Sequence, residues 1–206
     1  MKIFRNKYNL KVTSNSILVI GNFDGFHKGH VSILNEAARF AKKNNRKIGL
    51  LTFDPNPKEF FSKVKNFKII SLREKQNILS AMKIDYLIIL KFNKLLRNMT
   101  AENFIEKILK EKIRPSKIVV GKEFKFGKNR TGNTNLLKKY FFTKIALQKK
   151  ISGKKISSSE IRKLISLGNV SQVKKLLGRN WSINGKVVSG DKIGRTLGYR
   201  TANVFL

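Results

Sequence analysis

Apolar and polar positions along the chain fall into blocks of two kinds. Short, nearly uninterrupted apolar runs at Ser16 to Ile20, Lys47 to Phe53, Asp85 to Leu90 and Lys117 to Val120 have the length and character of strands buried on both faces. Between them apolar residues recur at helical spacing, as in Val31, Ile33, Leu34, Ala37, Ala38 and Ala41. Local signals mark the helix ends. Asn56 followed by Pro57 suits an N-cap and a first helical residue, opening a helix through Phe60 and Phe61. Ser71-Leu72-Arg73-Glu74 and Ser157-Ser158-Ser159-Glu160 have the form of capping boxes and predict helices running to Met82 and Leu167. Thr100 to Ile113 is a further long helix stopped before Pro115, and Ser171 to Leu177 a shorter one stopped at Gly178. Lys144 to Gln148 is the last strand candidate of this part of the chain.

Strand and helix therefore alternate, which predicts a Rossmann-like, doubly wound α/β domain: a parallel sheet with helices on both faces. Ligands of such sheets bind beyond the carboxyl ends of the strands. The loops Gly21 to His30, Asp54 to Pro57 and Gly121 to Gly127 each follow a strand and are expected on one edge. From Trp181 the chain turns rich in Gly, Thr and Val and loses helical periodicity. The predicted division is a first domain over 1–179 and the start of a second over 180–206.

Composition adds three constraints. With 206 residues, 41% of them hydrophobic, and 15 Phe, the chain can bury one sizeable core. Its 45 Lys and Arg against 12 Asp and Glu, a formal charge of +33, favour phosphate-bearing partners. The basic residues are spread along the whole chain rather than gathered in one arm, so anionic small molecules are expected and no specific nucleic acid. The absence of cysteine excludes disulfides, thiolate metal sites and cysteine nucleophiles. Met1 to Val12 is charged, and no stretch approaches the roughly 20 apolar residues of a membrane span, so a cytoplasmic protein without a membrane partner is expected.

The candidate chemistry is concentrated in Gly25-Phe26-His27-Lys28-Gly29-His30, which holds both histidines of the chain. A spacing of three places the two side chains on one helical face. The flanking glycines allow close backbone approach, and free N–H groups at a helix start favour an anion. A zinc site with Asp24 as third ligand is an alternative, but such sites use three or four protein ligands and no other His or Cys exists.

Gly25 to His30 matches the G-x-H-x-G-H signature of the HxGH nucleotidyltransferase superfamily, and Ile156-Ser157-Ser158-Ser159-Glu160-Ile161-Arg162 has the form of its second, phosphate-closing motif. Together with Gly21-Asn22-Phe23-Asp24, Thr52-Phe53-Asp54-Pro55-Asn56-Pro57 and Val120-Gly121-Lys122-Glu123-Phe124-Lys125-Phe126-Gly127, the chain resembles the adenylyltransferase module of prokaryotic FAD synthetase, the bifunctional riboflavin kinase/FMN adenylyltransferase, over nearly its whole length. Gly190 to Asn203 resembles the opening of that family's β-barrel kinase domain, with Thr201 and Asn203 as the remnant of its P-T-A-N motif. The remaining barrel strands of the family lie further downstream, so a truncated kinase without riboflavin kinase activity is expected. The chain departs from the usual family residues at Asn56 (usually His), Glu123 (Asp or Asn), Ser159 (Thr) and Arg200 (Pro).

The resemblance implies the reaction of ATP with FMN to give FAD and pyrophosphate, with Mg2+ accompanying the ATP and no metal ligand from the protein. It implies catalytic roles for His27, His30 and Arg162, and an ATP site of Gly21, Asn22, Phe23, Asp24, Gly25, Gly29, Ser158 and Ser159. Asp54, Pro55, Asn56, Pro57, Phe61, Glu123 and Phe126 are the implied flavin residues. The attacking phosphate is already an anion, so positioning and charge stabilisation carry the chemistry without a strong general base. Two alternatives stay open: another HxGH nucleotidyltransferase with a different acceptor, or a basic nucleic-acid-binding module with a relic site.

Overall fold

A computed structural model describes residues 1–7, 10–62, 68–147, 150–151, 153–190, 193–199 and 201–205. Its frame is a six-stranded sheet built from β1 (Lys2–Arg5), β2 (Ile17–Ile20), β3 (Ile48–Asp54), β4 (Tyr86–Lys91), β5 (Lys117–Gly121) and β6 (Phe142–Ala146), in the order β1-β4-β3-β2-β5-β6. Every neighbouring pair is parallel. The apolar runs of β2 to β5 are continuous because both faces are covered, and their residues divide with period two. Ile17, Val19, Leu50, Leu87, Ile89 and Val119 belong to one core cluster, while Leu18, Ile20, Leu51, Ile88, Ile118 and Val120 belong to the other.

Helices fill the two layers. On the first face lie α2 (Lys28–Lys43), α4 (Leu72–Ala81), α8 (Ser158–Ser166) and α9 (Val170–Leu177), contributing Leu34, Leu79, Ile161 and Val173 to the core. On the second lies α6 (Ala101–Asn103), which continues as π-helical turns over Phe104–Ile113 and buries Ile105 and Leu109. Leu137 of α7 (Thr134–Tyr140) joins it. Gly49 of β3 is required by packing, since a Cβ there would stand 2.0 Å from the buried Tyr86 ring.

The helix signals in the sequence correspond to real caps. Ser71 Oγ accepts the Glu74 N–H at 3.1 Å, Ser157 Oγ the Glu160 N–H at 3.2 Å, and Thr100 Oγ1 the Asn103 N–H at 3.1 Å. Asn56 Oδ1 accepts from the Lys58 N–H at 3.0 Å as α3 (Pro57–Ser62) begins. The carboxylate of Glu74 turns away from a reciprocal capping bond and meets Arg179 and Ser182 instead.

The pattern misses β1, a mostly exposed edge strand with charged residues at both ends, and the single turn α1 (Leu10–Thr13) that follows it. It also misses the short helices α5 (Lys94–Asn98) and α7, whose few turns give no periodic stripe. The strand expected over Lys144 to Gln148 lies earlier, at Phe142–Ala146, because an edge strand tolerates the 65% exposed Phe142; Gln148 lies outside the described residues. Two small antiparallel pairs complete the description: Lys150–Ile151 with Lys154–Lys155, and Lys186–Val188 with Asn203–Phe205. Arg200, which departs from the resembled motif, lies outside the described residues, as do Asp191 and Lys192 of the same stretch. Among the described residues no helix is long and apolar enough to cross a membrane.

Strand order reverses between β2 and β5: β3 and β4 extend the sheet on one side of β2, and the chain then returns to place β5 on the other. The loops leaving the carboxyl ends of β2 and β5 bound the crevice where such sheets bind ligands. These are the loops that begin at Gly21 and Gly121.

Candidate active site

The loop from β2 to α2 is held in an unusual path. Gly25 has φ +83, and Phe23 and Phe26 also take positive φ, 46 and 44, which side-chain-bearing residues adopt only when their surroundings impose it. The surroundings act on alternate carbonyls. Lys75 Nζ and Thr52 Oγ1 donate to the Asn22 carbonyl at 2.7 and 3.2 Å, Ser158 Oγ donates to that of Asp24 at 2.9 Å, and Arg179 donates to that of Phe26 at 3.3 Å. In a planar trans peptide the next N–H points opposite to the carbonyl. The N–H groups of Phe23, Gly25 and His27 are therefore turned away from these partners, and none finds an acceptor among the described residues. Such a row of N–H groups, next to the start of a 16-residue helix, is suited to anionic oxygens.

His27 caps α2, its Nδ1 accepting the His30 N–H at 3.3 Å. An Nδ1 that accepts leaves the proton of the neutral ring on Nε2. The two imidazoles stack with centroids 3.7 Å apart and planes 18° apart, and His30 packs on Phe23 with centroids at 4.7 Å. Burial pushes the His27 pKa down to about 4. Burial does the same to His30, reinforced by His27 and Lys75, and leaves it well below the ordinary value. Both rings are thus neutral near pH 7, and His30 Nδ1 is buried without a partner.

Asp24 is buried, accepting the Ile69 N–H on Oδ1 at 3.0 Å and pairing with the Arg162 guanidinium through Oδ2. Its carboxylate thereby ties the loop to α8, and the same helix sends Ser158 to the Asp24 carbonyl.

Two clefts open at this edge. The first, of about 230 Å3, is lined by Gly21, Asn22, Phe23, His27, Gly29, His30 and Ser158, together with Glu123, Phe124 and Lys155. The second, of about 580 Å3, is lined by Pro57, Phe61 and Phe126, and by Phe53, Phe92, Met99, Phe104 and Phe124. Gly21, Asn22, Glu123 and Phe124 belong to both. Glu123 is exposed and ion-paired with Lys155, whose hydrogen bond and charge lower its carboxyl pKa. Phe124 and Phe126 stack with centroids at 5.5 Å, and Arg97 lies 5.4 Å from the centroid of the exposed Phe61 ring.

The residues singled out in the sequence are thus not all at one surface. Asp54 and Asn56 line a small adjoining recess with Asp24, Lys68 and Lys75, which shares Asn22 and Phe53 with the large cleft and where Lys68 Nζ meets Asp54 Oδ1 at 2.8 Å. Pro55 adjoins them in sequence and lines none of the three. Gly25 is buried beneath the loop, where a Cβ would stand 3.1 Å from Ile69 Cδ1. Ser159 is exposed on the first turn of α8, and Arg162 faces Asp24 rather than the cleft walls. Thr201 and Asn203 lie apart, packed close to Gly194 and Gly190.

Lys75, Lys155, Phe92 and Phe124 were not singled out from the sequence. Lys75 was legible in principle: it falls between Leu72 and Leu79 at helical spacing, a lysine on the core-facing stripe of α4. It is 9% exposed, and burial lowers its pKa to about 8 against the opposing pull of Asp24 and Asp54. Lys155 gives no such signal among the many lysines.

A parallel α/β sheet with a histidine pair at the start of α2, beside a loop of N–H groups without acceptors, is the arrangement expected of an HxGH nucleotidyltransferase. The FAD synthetase family model matches residues 9–160, and the riboflavin kinase model matches residues 177–206. The chain belongs to the FAD synthetase family. It is 40% identical over 214 residues to the bifunctional riboflavin kinase/FMN adenylyltransferase of Buchnera aphidicola subsp. Schizaphis graminum, covering 100% of this chain and 69% of that protein. The protein of the same name from Escherichia coli K12 is 35% identical over 212 residues, covering 99% and 68%. Among solved structures, that of a macrolide-efflux protein from Streptococcus pneumoniae superposes with a TM-score of 0.85 at 31% identity, over 100% of this chain and 69% of that one.

Proposed function

We propose that the chain is an FMN adenylyltransferase, converting ATP and FMN into FAD and pyrophosphate in the cytoplasm. The observation that carries this is the junction of two unlike clefts. One is small and faces histidines and backbone N–H groups, the other is large and walled by aromatic rings, and they meet at Gly21, Asn22, Glu123 and Phe124. A triphosphate suits the first and an isoalloxazine ring the second, which would bring the FMN phosphate and the α-phosphorus of ATP together at the shared loop. Family membership and the relatives' FMN adenylyltransferase names support the same reading.

In this mechanism an oxygen of the FMN phosphate attacks the α-phosphorus in line, a new P–O–P linkage forms, and the bond to the β-phosphate breaks. The Nε2–H of His27 and the imidazole of His30, with the N–H groups of Phe23 and His27, take up the charge that develops on the phosphate oxygens. Ser158 and Arg162 hold the loop and α8 together around the leaving pyrophosphate. Gly29 permits close approach, and Ser159 stands at the outer rim. Pro57, Phe61, Glu123 and Phe126 face the flavin, while Asp54, Pro55 and Asn56 shape the strand end behind it. Mg2+ accompanying ATP would supply positive charge to offset that of the phosphates. Among the described residues no group of three or more His, Cys, Asp or Glu side chains could hold a metal ion. The adenylylating unit is proposed to span 1–179, with 180–206 as the start of a kinase-like unit.

The test is incubation of the protein with MgATP and, separately, FMN or riboflavin, followed by chromatography of the flavins. FAD and pyrophosphate formed in equal amounts from FMN are the expected result. No FAD from FMN, with transfer of AMP to another phosphorylated acceptor, would overturn the assignment. The riboflavin arm reads any kinase activity.

A further inference from the structure

Of the three loop carbonyls held from outside, that of Phe26 is held by a residue beyond the FAD synthetase match and inside the riboflavin kinase match. We infer that Arg179 and Trp181, which lie in the stretch matched by the riboflavin kinase model, are positioning residues of the adenylyl-transfer loop; the inference rests on the function proposed above. Neither lines the two clefts, so each would act through another group.

Both side chains reach the loop by short chains of hydrogen bonds. Arg179 donates through Nη1 to the Phe26 carbonyl at 3.3 Å and through Nη2 to Glu74 Oε1 at 3.4 Å. Glu74 also accepts from Ser182 at 3.4 Å, and it immediately precedes Lys75, the residue that holds the Asn22 carbonyl. Trp181 Nε1 donates to the Ile69 carbonyl at 2.9 Å; the Ile69 N–H donates to Asp24 Oδ1 at 3.0 Å, and Asp24 in turn pairs with Arg162. The chain reaches these positions through Gly178, whose left-handed φ of +76 ends α9 and whose missing side chain lets Lys28 approach.

The contacts fall where the loop most needs support. Phe26 has φ 44, a conformation that its side chain disfavours and that its surroundings must hold. The orientation of its carbonyl sets that of the His27 N–H, because the two share one peptide plane. Loss of the Arg179 donor would free this peptide, and loss of the Trp181 donor would loosen Asp24 against Ile69. In both cases the small cleft would lose geometry while the flavin cleft kept its walls.

The experiment uses the whole chain carrying Arg179→Met, Arg179→Lys or Trp181→Phe, each checked by thermal melting. Folded Arg179→Met should lose about tenfold in kcat for FAD formation with the KM for FMN within about twofold of the parent. Arg179→Lys, which keeps a donor, should recover part of the rate, and Trp181→Phe, which keeps the ring but loses the N–H, should show the same split more weakly. If Arg179→Met fails to fold, the other two variants carry the test. Folded Arg179→Met and Trp181→Phe proteins with kcat and the KM for ATP within about twofold of the parent would overturn the inference. Trp181 is the chain's one tryptophan, which gives an independent readout. A saturable change in its emission on adding MgATP alone supports the linkage, and an emission indifferent to MgATP speaks against it. A parent protein that forms no FAD but shows the emission change would refute the proposed reaction and leave the linkage standing.

Discussion

The imidazole of His27 lies flat on that of His30, with centroids 3.7 Å apart, and its Nδ1 accepts the His30 N–H. One ring therefore fixes both the tautomer of its own site and the start of the helix that carries the other. Replacing His30 by Ala removes a donor without leaving a buried partner unpaired, since its Nδ1 has none. FAD formation by His30→Ala should fall by about a hundredfold or more at unchanged far-ultraviolet circular dichroism. A folded variant with parental turnover would remove His30 from the chemistry.

Both histidines are held neutral by burial, His27 at about 4 and His30 well below its ordinary 6.5. As pH falls below 6.5 the unfolded chain takes up protons that the folded chain refuses, so the unfolded state gains. Stability from this source is fully present above pH 6.5 and is lost progressively towards pH 4. His27 alone accounts for on the order of 3 kcal/mol of that loss. Melting temperatures between pH 7 and 5 should fall, and more gently in His27→Gln, because the chain has only 2 histidines. Parallel curves would show that burial does not hold the ring neutral.

The Asp24–Arg162 pair is largely shielded, with side-chain exposures of 8% and 22%. Asp24→Ala would remove the carboxylate that pairs with Arg162 and leave the Ile69 N–H without its acceptor, costing about 3 kcal/mol in urea denaturation. Asp24→Asn, which still offers an oxygen to Ile69, should lose less. Equal stability of all three proteins would contradict the structural role of the pair.

Phe61 is 58% exposed, touching Phe60, Phe92 and Arg97 at the rim of the large cleft. Phe61→Ala should raise the KM for FMN by about fivefold, the worth of one aromatic contact, with little change in the KM for ATP or in melting temperature. A rise confined to ATP would reverse the assignment of the clefts.

The parts legible in the sequence share a physical cause: their signals are local. The runs of β2 to β5 had to be continuous to be covered on both faces, and Ser71, Thr100 and Ser157 capped helices through bonds to residues three positions away. The histidine motif was legible because its glycines, spacing and helix start all lie within six residues. Edge and short elements such as Lys2–Arg5 and Thr134–Tyr140 were not, having too few buried positions to form a pattern.

What the amino-acid sequence determined by itself was the order of elements, the buried stripes and the place of the phosphate motif, all set by interactions over one or two turns. Only the tertiary structure decided that Asp24 faces Arg162, that Asp54 and Asn56 line a recess beside the aromatic cleft, and that Lys75, Ser158 and Arg179 hold alternate carbonyls of one loop. Those partners are 53, 134 and 153 residues apart in the chain. No local rule relates such positions, because folding of the sheet and its helices is what brings them to the same edge.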